Sequence, residues 1–287
     1  MRVVTAIDDV RTAVRAARSR GERVAFVPTM GALHPGHVSL IDRAHEEASF
    51  VVVSIFVNPL QFNDPTDLAA YPRTAEADDA LCEKAGVDLV WRPGTDTIYP
   101  EGFDTRVEPG ALANDLEGLH RPGHFAGMAT VVLKLLNVVA PDLACFGRKD
   151  FQQLAIVRRM VRDFDVPVQI IGCPTVREAD GLALSSRNTK LSPEARAVAT
   201  NLSRVIDQAA RTMRSGERAD SARQVAMSDL ASRPNIEIEY LDVVDRDSLS
   251  PIRDERTENA VVVVAAVVGG VRLIDNVEVA AEEEGRS

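Results

Sequence analysis

Short, nearly unbroken apolar runs recur along the first three-fifths of the chain: "VAFVPT" at 24–29, "VVVSIFVN" at 51–58, "VDLVWRP" at 87–93, "DLACFG" at 142–147 and "VPVQIIG" at 166–172. Most of the intervals between them carry apolar residues at helical spacing. A strand that is apolar at successive positions has both faces buried, and such strands alternating with helices build a parallel sheet covered on both sides. The pattern therefore predicts a doubly wound, Rossmann-like parallel α/β domain. Ahead of the first run, residues 5–20 have helical periodicity, with Thr5 and Asp8 in capping-box spacing and Gly21 as a stop.

Beyond Cys173 the texture changes. The stretch "SPEARAVATNLSRVIDQAARTMRSGE" opens with Ser192 as a cap and Pro193 at the first helical position, which predicts one or two helices. After Pro234, "IEIEYLDVVD", "AVVVVAAVV" and "VRLIDNVEV" read as strands, the last two without a long helical connection, so a small antiparallel sheet is expected. The reading is two domains, 1–175 and 176–287, the second smaller and α+β, with neither a low-complexity linker nor an internal repeat.

Composition narrows the function classes. Of 287 residues, 45% are hydrophobic and 26% charged, the profile of a globular chain. A formal net charge of −10 argues against a broad nucleic-acid surface, which needs Lys and Arg on phosphates. Cys82, Cys145 and Cys173 are odd in number and lack C-x-x-C spacing, so reduced thiols are expected and neither a disulfide framework nor a zinc knuckle. The charged opening "MRVVTAIDDVRTAVRAARSR" has no secretory core, and "AVVVVAAVVGGV" is too short for a membrane helix. A cytoplasmic protein without a membrane partner is the expectation.

In an open parallel sheet, ligands bind beyond the carboxyl ends of the strands. Here those ends carry "PTMGALHPGH", "NPLQF", "FGRKDFQQ" and "PTVREADGLALSSRN". In the first, Pro35 and Gly36 lead into a helix start, where backbone N–H groups and the dipole favour an anion, flanked by His34 and His37. The same pair also suits an ordinary surface turn, whereas a zinc site lacks further ligands at suitable spacing. Lys149 and Asp150 follow Gly147, and Ser185, Ser186 and Arg187 sit behind Gly181 in a loop suited to polyphosphate. Neutral Asn58, Gln61 and Gln153 suit a small polar substrate. Two weaker signals are "HRPGHF" at 120–125 and "EADD" at 76–79, the latter explained equally by an acidic first helical turn.

With these residues assembled, the chain resembles the pantothenate synthetase family, adenylate-forming ligases of the nucleotidyltransferase superfamily. The resemblance rests on "VPTMGALHPGHVSL", "SIFVNPLQF", "YPRT", "RPGHFAGMATVV", "FGRKDFQQL" and "READGLALSSRN", in that order over residues 24–191, with "YLDVVD" and "RLIDN" beyond. It implies ATP-dependent joining of pantoate and β-alanine through a pantoyl-adenylate, with Mg²⁺, in a homodimer. The nucleotide site would comprise Met30, Gly31, His34, Gly36, His37, Gly147, Arg148, Lys149, Asp150, Val176, Leu184, Ser185, Ser186 and Arg187. Of these, His34, His37, Lys149, Ser186 and Arg187 would be catalytic, with His37 the proton donor. Gln61 and Gln153 would hold pantoate, with Gln61 also near β-alanine and Asn58 and His124 in support, and Asp78 would lie near magnesium. Residues 176–287 would form a lid. Pro35, Leu60 and Lys190 depart from the residues common in the family. Two other readings stand beside this one: a nucleotidyltransferase acting on a phosphorylated acceptor, which neutral Gln61 and Gln153 suit less well, and a nucleotide-binding regulator without turnover.

Overall fold

The computed structural model describes residues 1–253 and 259–280. Among these, nine strands run β1 (Arg2–Val4), β2 (Val24–Thr29), β3 (Phe50–Ile55), β4 (Leu89–Trp91), β5 (Leu143–Gly147), β6 (Gln169–Cys173), β7 (Ile236–Asp245), β8 (Ala260–Val268) and β9 (Val271–Glu278). The helices are α1 (Ile7–Ser19), α2 (Pro35–Glu47), α3 (Pro65–Ala69), α4 (Ala75–Lys84), α5 (Thr95–Ile98), α6 (Glu117–His120), α7 (His124–Val139), α8 (Phe151–Asp163), α9 (Pro193–Arg214) and α10 (Ala219–Ala231). Three short 3₁₀ turns, Pro59–Gln61, Ala111–Ala113 and Ser186–Lys190, complete the described elements. The chain divides into two units, one of Met1–Arg148 with Gln152–Pro174, the other of Lys149–Phe151 with the chain from Thr175 onward.

The first unit is a six-stranded parallel sheet in the order β1-β4-β3-β2-β5-β6. The strands were legible because alternate residues serve opposite cores. Phe26, Val52, Leu89, Ala144 and Phe146 pack on one side with residues of α1, α7 and α8. Ala25, Val27, Val51, Val53, Val90 and Leu143 pack on the other with Leu40, Ile41 and Ala44 of α2 and Cys82 of α4. From β2 the chain winds through β3 to β4, then crosses to the other side of β2 for β5 and β6. The reversal between β2 and β5 is the switch point at which such sheets open a crevice beyond their carboxyl ends.

One strand is new and two local expectations change. Residues 2–4 form an edge strand paired with β4, too short to show a period. The expected capping box of Thr5 and Asp8 is not made: α1 begins after Ala6 without a side-chain cap, and Thr5 offers its carbonyl to Trp91 Nε1 at 3.1 Å. The last parallel strand starts at Gln169, not 166, because the chain turns at Phe164 and Asp165, the latter with a φ of 50°, and Pro167 has no N–H to give a ladder.

The second unit is an antiparallel sheet in the order β7-β8-β9, with α9 and α10 on it. Ser192 caps α9 as expected, its hydroxyl accepting from Ala195 N at 3.2 Å with Pro193 at the first turn. Buried residues of β8, such as Val262, Val264 and Ala266, meet Leu202, Val205, Ile206 and Ala209 of α9 in one core.

Candidate active site

In the first unit, β2 ends at Thr29, whose hydroxyl donates to Ser54 O of β3 at 2.7 Å and accepts from Gly31 N at 3.3 Å. The chain then turns through Gly31 and Ala32, both at positive φ, 84° and 50°. A side chain at Gly31 would stand 3.0 Å from Asp78 Oδ2 and 3.1 Å from Ile55 Cγ2, so the position favours glycine twice over. Asp78 explains how the loop is held. Its buried carboxylate accepts from Ala32 N at 3.1 Å, Leu33 N at 2.8 Å and Thr74 Oγ1 at 3.1 Å.

In this structure Asp78 therefore anchors the loop that leads to α2.

Helix α2 then starts in an unusual way. His34 is its N-cap, and His34 Nδ1 accepts from Gly36 N at 3.2 Å, while His37 Nδ1 accepts from His34 N at 3.2 Å. The two rings lie 4.1 Å apart, centroid to centroid, at 41°. Because each Nδ1 is an acceptor, each neutral ring carries its proton on Nε2. Pro35 at the first turn keeps the helix start free of an extra N–H requirement.

Asn58, Gln61, His124 and Met30 are brought together in the same unit. Asn58 Nδ2 donates to Gln61 Oε1 at 3.0 Å and to Gly127 O at 3.1 Å, and Gln61 Nε2 lies 3.0 Å from Met30 Sδ. His124 Nδ1 meets Gln61 O at 2.8 Å. Gln153 is half-buried on α8, while its neighbour Gln152 serves the fold, bonding Glu117 N, Leu112 O and Asp115 O. Gly147 ends β5, and Arg148 N donates to Cys173 O at 2.8 Å.

Two residues given no role from the sequence join this group, Gly127 among them although it lies within "RPGHFAGMATVV". Tyr99 donates from its hydroxyl to Asn58 Oδ1 at 2.7 Å. Gly127 lets α7 rest against the turn at 59–61, since a Cβ there would lie 2.1 Å from Leu60 O. The only signals were an aromatic in "DTIYP" and a glycine inside a helical pattern, and both are common without function.

In the second unit, Lys149, Ser185, Arg187, Asn188, Arg272 and Asp275 line one cavity with Leu182 and Leu273. Lys149 O accepts from Asn276 Nδ2 at 2.9 Å. The loop that carries Ser186 and Arg187 is built on an isolated bridge between Arg177 and Ala183, and Leu184 N donates to Val176 O at 2.9 Å. Ser185 Oγ caps the 3₁₀ turn by accepting from Arg187 N at 3.3 Å. Asn188 Nδ2 donates to Glu178 Oε1 at 2.7 Å and Ala183 O at 3.0 Å, while its buried Oδ1 has no hydrogen-bond partner among the described residues. The Arg196 guanidinium and then Asn188 hold the Glu178 carboxyl below its ordinary value. Arg177 grips buried Asp275 through both nitrogens, at 2.7 and 3.0 Å. Asp150 is exposed, and Ser186 and Arg187 are half-buried.

A parallel sheet whose central strand runs, at the switch point, into a His-x-Gly-His helix start is the frame of the nucleotide-binding α/β transferases and ligases. Comparison with known proteins narrows this. The family model described as pantoate-beta-alanine ligase matches residues 2–278. A pantothenate synthetase of Rhizorhabdus wittichii is 50% identical over 279 residues, covering 97% of this chain and 99% of the relative. The crystal structure of pantothenate synthetase from Thermus thermophilus superposes with a TM-score of 0.92 at 47% identity, over 98% of this chain and all of that one. The pantoate-beta-alanine ligase of Francisella tularensis, solved with beta-gamma ATP and beta-alanine, matches over the full length of both chains with a TM-score of 0.81 at 35% identity. The chain belongs to the pantoate–β-alanine ligase family.

Proposed function

We propose that the chain condenses (R)-pantoate with β-alanine to pantothenate, with ATP cleaved to AMP and pyrophosphate, in coenzyme A biosynthesis. The family membership and the shared fold support the reaction, and the pair of histidines at the start of α2 carries the residue-level reading. In the first step a pantoate carboxylate oxygen attacks the α-phosphorus and the bond to the β-phosphate oxygen breaks, releasing pyrophosphate. In the second, the amine of β-alanine attacks the acyl carbonyl, loses a proton, and AMP leaves.

The first nucleophile is already ionised, so this step depends on in-line placement and on neutralising the charge that develops on the leaving group. With Nδ1 accepting, the neutral His34 and His37 rings keep Nε2–H groups as donors, and His37 is assigned the hydrogen bond given to the departing phosphate. Met30, Gly31 and Gly36 shape the backbone around the nucleotide, with Gly147, Arg148, Asp150, Val176, Leu184 and Ser185 as further contacts. Lys149, Ser186 and Arg187 stabilise the polyphosphate, as cations and a hydroxyl do for phosphoryl oxygens in general. Gln61 and Gln153, supported by Asn58 and His124, hold pantoate. Magnesium arrives as part of the MgATP substrate. On this reading the enzyme is a cytoplasmic homodimer; among the described residues no helix is long and apolar enough to cross a membrane.

The test is exchange of labelled pyrophosphate into MgATP with pantoate present and β-alanine absent. Pantoate-dependent exchange is expected, because the adenylate forms reversibly. Folded protein that shows no exchange would overturn the two-step reading.

A further inference from the structure

The polar chain Tyr99–Asn58–Gln61–Met30 has a direction. Tyr99 Oη donates to Asn58 Oδ1 at 2.7 Å, Asn58 Nδ2 donates to Gln61 Oε1 at 3.0 Å, and Gln61 Nε2 points at Met30 Sδ, 3.0 Å away. Two backbone groups that cannot change roles set the sense: Gly127 O accepts from Asn58 Nδ2 at 3.1 Å, and Leu60 N donates to Asn58 Oδ1 at 3.3 Å. Turning the Asn58 amide over would set its oxygen against a carbonyl, and turning Gln61 over would set amide nitrogen against amide nitrogen. Asn58 is 1% exposed and Gln61 7%, so water cannot readily repair either fault.

The last link is weak. A thioether sulfur is a poor acceptor, so Gln61 Nε2 keeps an N–H group ready for a better one. Burial pushes the Tyr99 phenol above its ordinary range, so its hydroxyl stays a donor. Its ring is held between Phe56, 6.2 Å away centroid to centroid, and Phe103, at 4.9 Å.

We propose that Tyr99 is a positioning residue for the acid substrate: through Asn58 it commits the Gln61 oxygen, so that Gln61 meets the substrate with N–H groups only and selects oxygen atoms that accept. This rests on the reading that Gln61 holds pantoate, whose carboxylate and hydroxyl oxygens can all accept. An amine at the same point would face a donor and be disfavoured, which is a physical reason for the hydroxy acid and the amino acid not to exchange places.

The experiment compares Tyr99→Phe, Gln61→Ala and the double variant by pyrophosphate exchange, with pantoate and MgATP varied separately. Phenylalanine keeps the ring contacts, so the fold is retained. Tyr99→Phe is expected to raise the KM for pantoate about tenfold and to leave that for MgATP within about twofold. In the Gln61→Ala background the same change should add nothing further, because there is no amide left to orient. Equal effects on both KM values, or additive effects in the double variant, would reduce Tyr99 to a general structural residue and overturn the proposal. If Gln61→Ala itself leaves the pantoate KM unchanged, the assignment of pantoate to Gln61 fails and the proposal falls with it. If Gln61→Ala raises that KM and Tyr99→Phe does not, the assignment stands and the relay alone fails.

Discussion

At the scale of single residues, Asp78 shows how one side chain can be read two ways. An acid in the first turn of a helix is favoured by the dipole whatever else it does, so sequence could not separate a metal ligand from a structural acid. The hydrogen bonds from Ala32 N and Leu33 N show the structural use. Asp78→Asn keeps the shape but replaces one accepting oxygen with a donating amide that confronts these N–H groups. The expected cost is about 1–3 kcal/mol of stability, with a raised KM for MgATP, since the loop leads directly into His34. A loop anchor gives the same fold-increase at every magnesium concentration, whereas an increase relieved by excess magnesium would restore the metal-ligand reading. His34 and His37 were visible in sequence because their spacing around Pro35-Gly36 is itself a helix-start signal. Tyr99 was not, because it reaches Asn58 across 41 residues and nothing local marks the hydroxyl.

At the scale of elements, the long apolar strands were readable because both faces are buried, and α9 was readable because Ser192 and Pro193 announce it. Short pieces were not. Residues 2–4 take strand form only because β4 offers an edge, and the turn at 59–61 depends on Asn58 Oδ1 accepting from Leu60 N. That turn is also shaped from outside, by α7. The Cβ of Gly127→Ala would stand 2.1 Å from Leu60 O and 2.8 Å from Gln61 N, both backbone, so the helix and the turn must part. Overpacking of this kind costs about 1–3 kcal/mol. Calorimetry should show a lowered Tm, and pantoate binding should weaken with it, since Gln61 sits on the displaced turn. A variant with normal Tm and normal pantoate KM would mean that α7 does not fix the turn.

At the scale of the whole molecule, the two units differ in how they depend on carboxylates. Their hydrophobic cores share no residue among those described. In the second unit, Glu178 is held below its ordinary 4.5 by Arg196 and Asn188, and Asp229 below its ordinary 3.8 by Arg204 and Arg233. These groups join segments distant in sequence: Glu178 ties the Ser-Arg loop to α9, and Asp229 ties α10 to α9. In the first unit Glu22, beside Arg20, and Asp64, capping α3, are held low as well, each by a contact only two residues long, while Asp78, Asp88 and Asp142 accept from backbone N–H groups distant in sequence. A carboxyl whose folded value is depressed stabilises fully above its unfolded value, and that contribution disappears as pH falls through the folded value. Acidification below about pH 4 should therefore release the Glu178 and Asp229 links of the second unit, ahead of any loosening around Trp91. The single tryptophan, Trp91, is fully buried in the first unit and makes the comparison direct. Far-UV circular dichroism, which sees both units, should begin to change at a higher pH than the red shift of Trp91 emission. Coincident transitions would show instead that acid unfolds the chain as one cooperative body, with the long-range carboxylates of the second unit giving it no separate sensitivity.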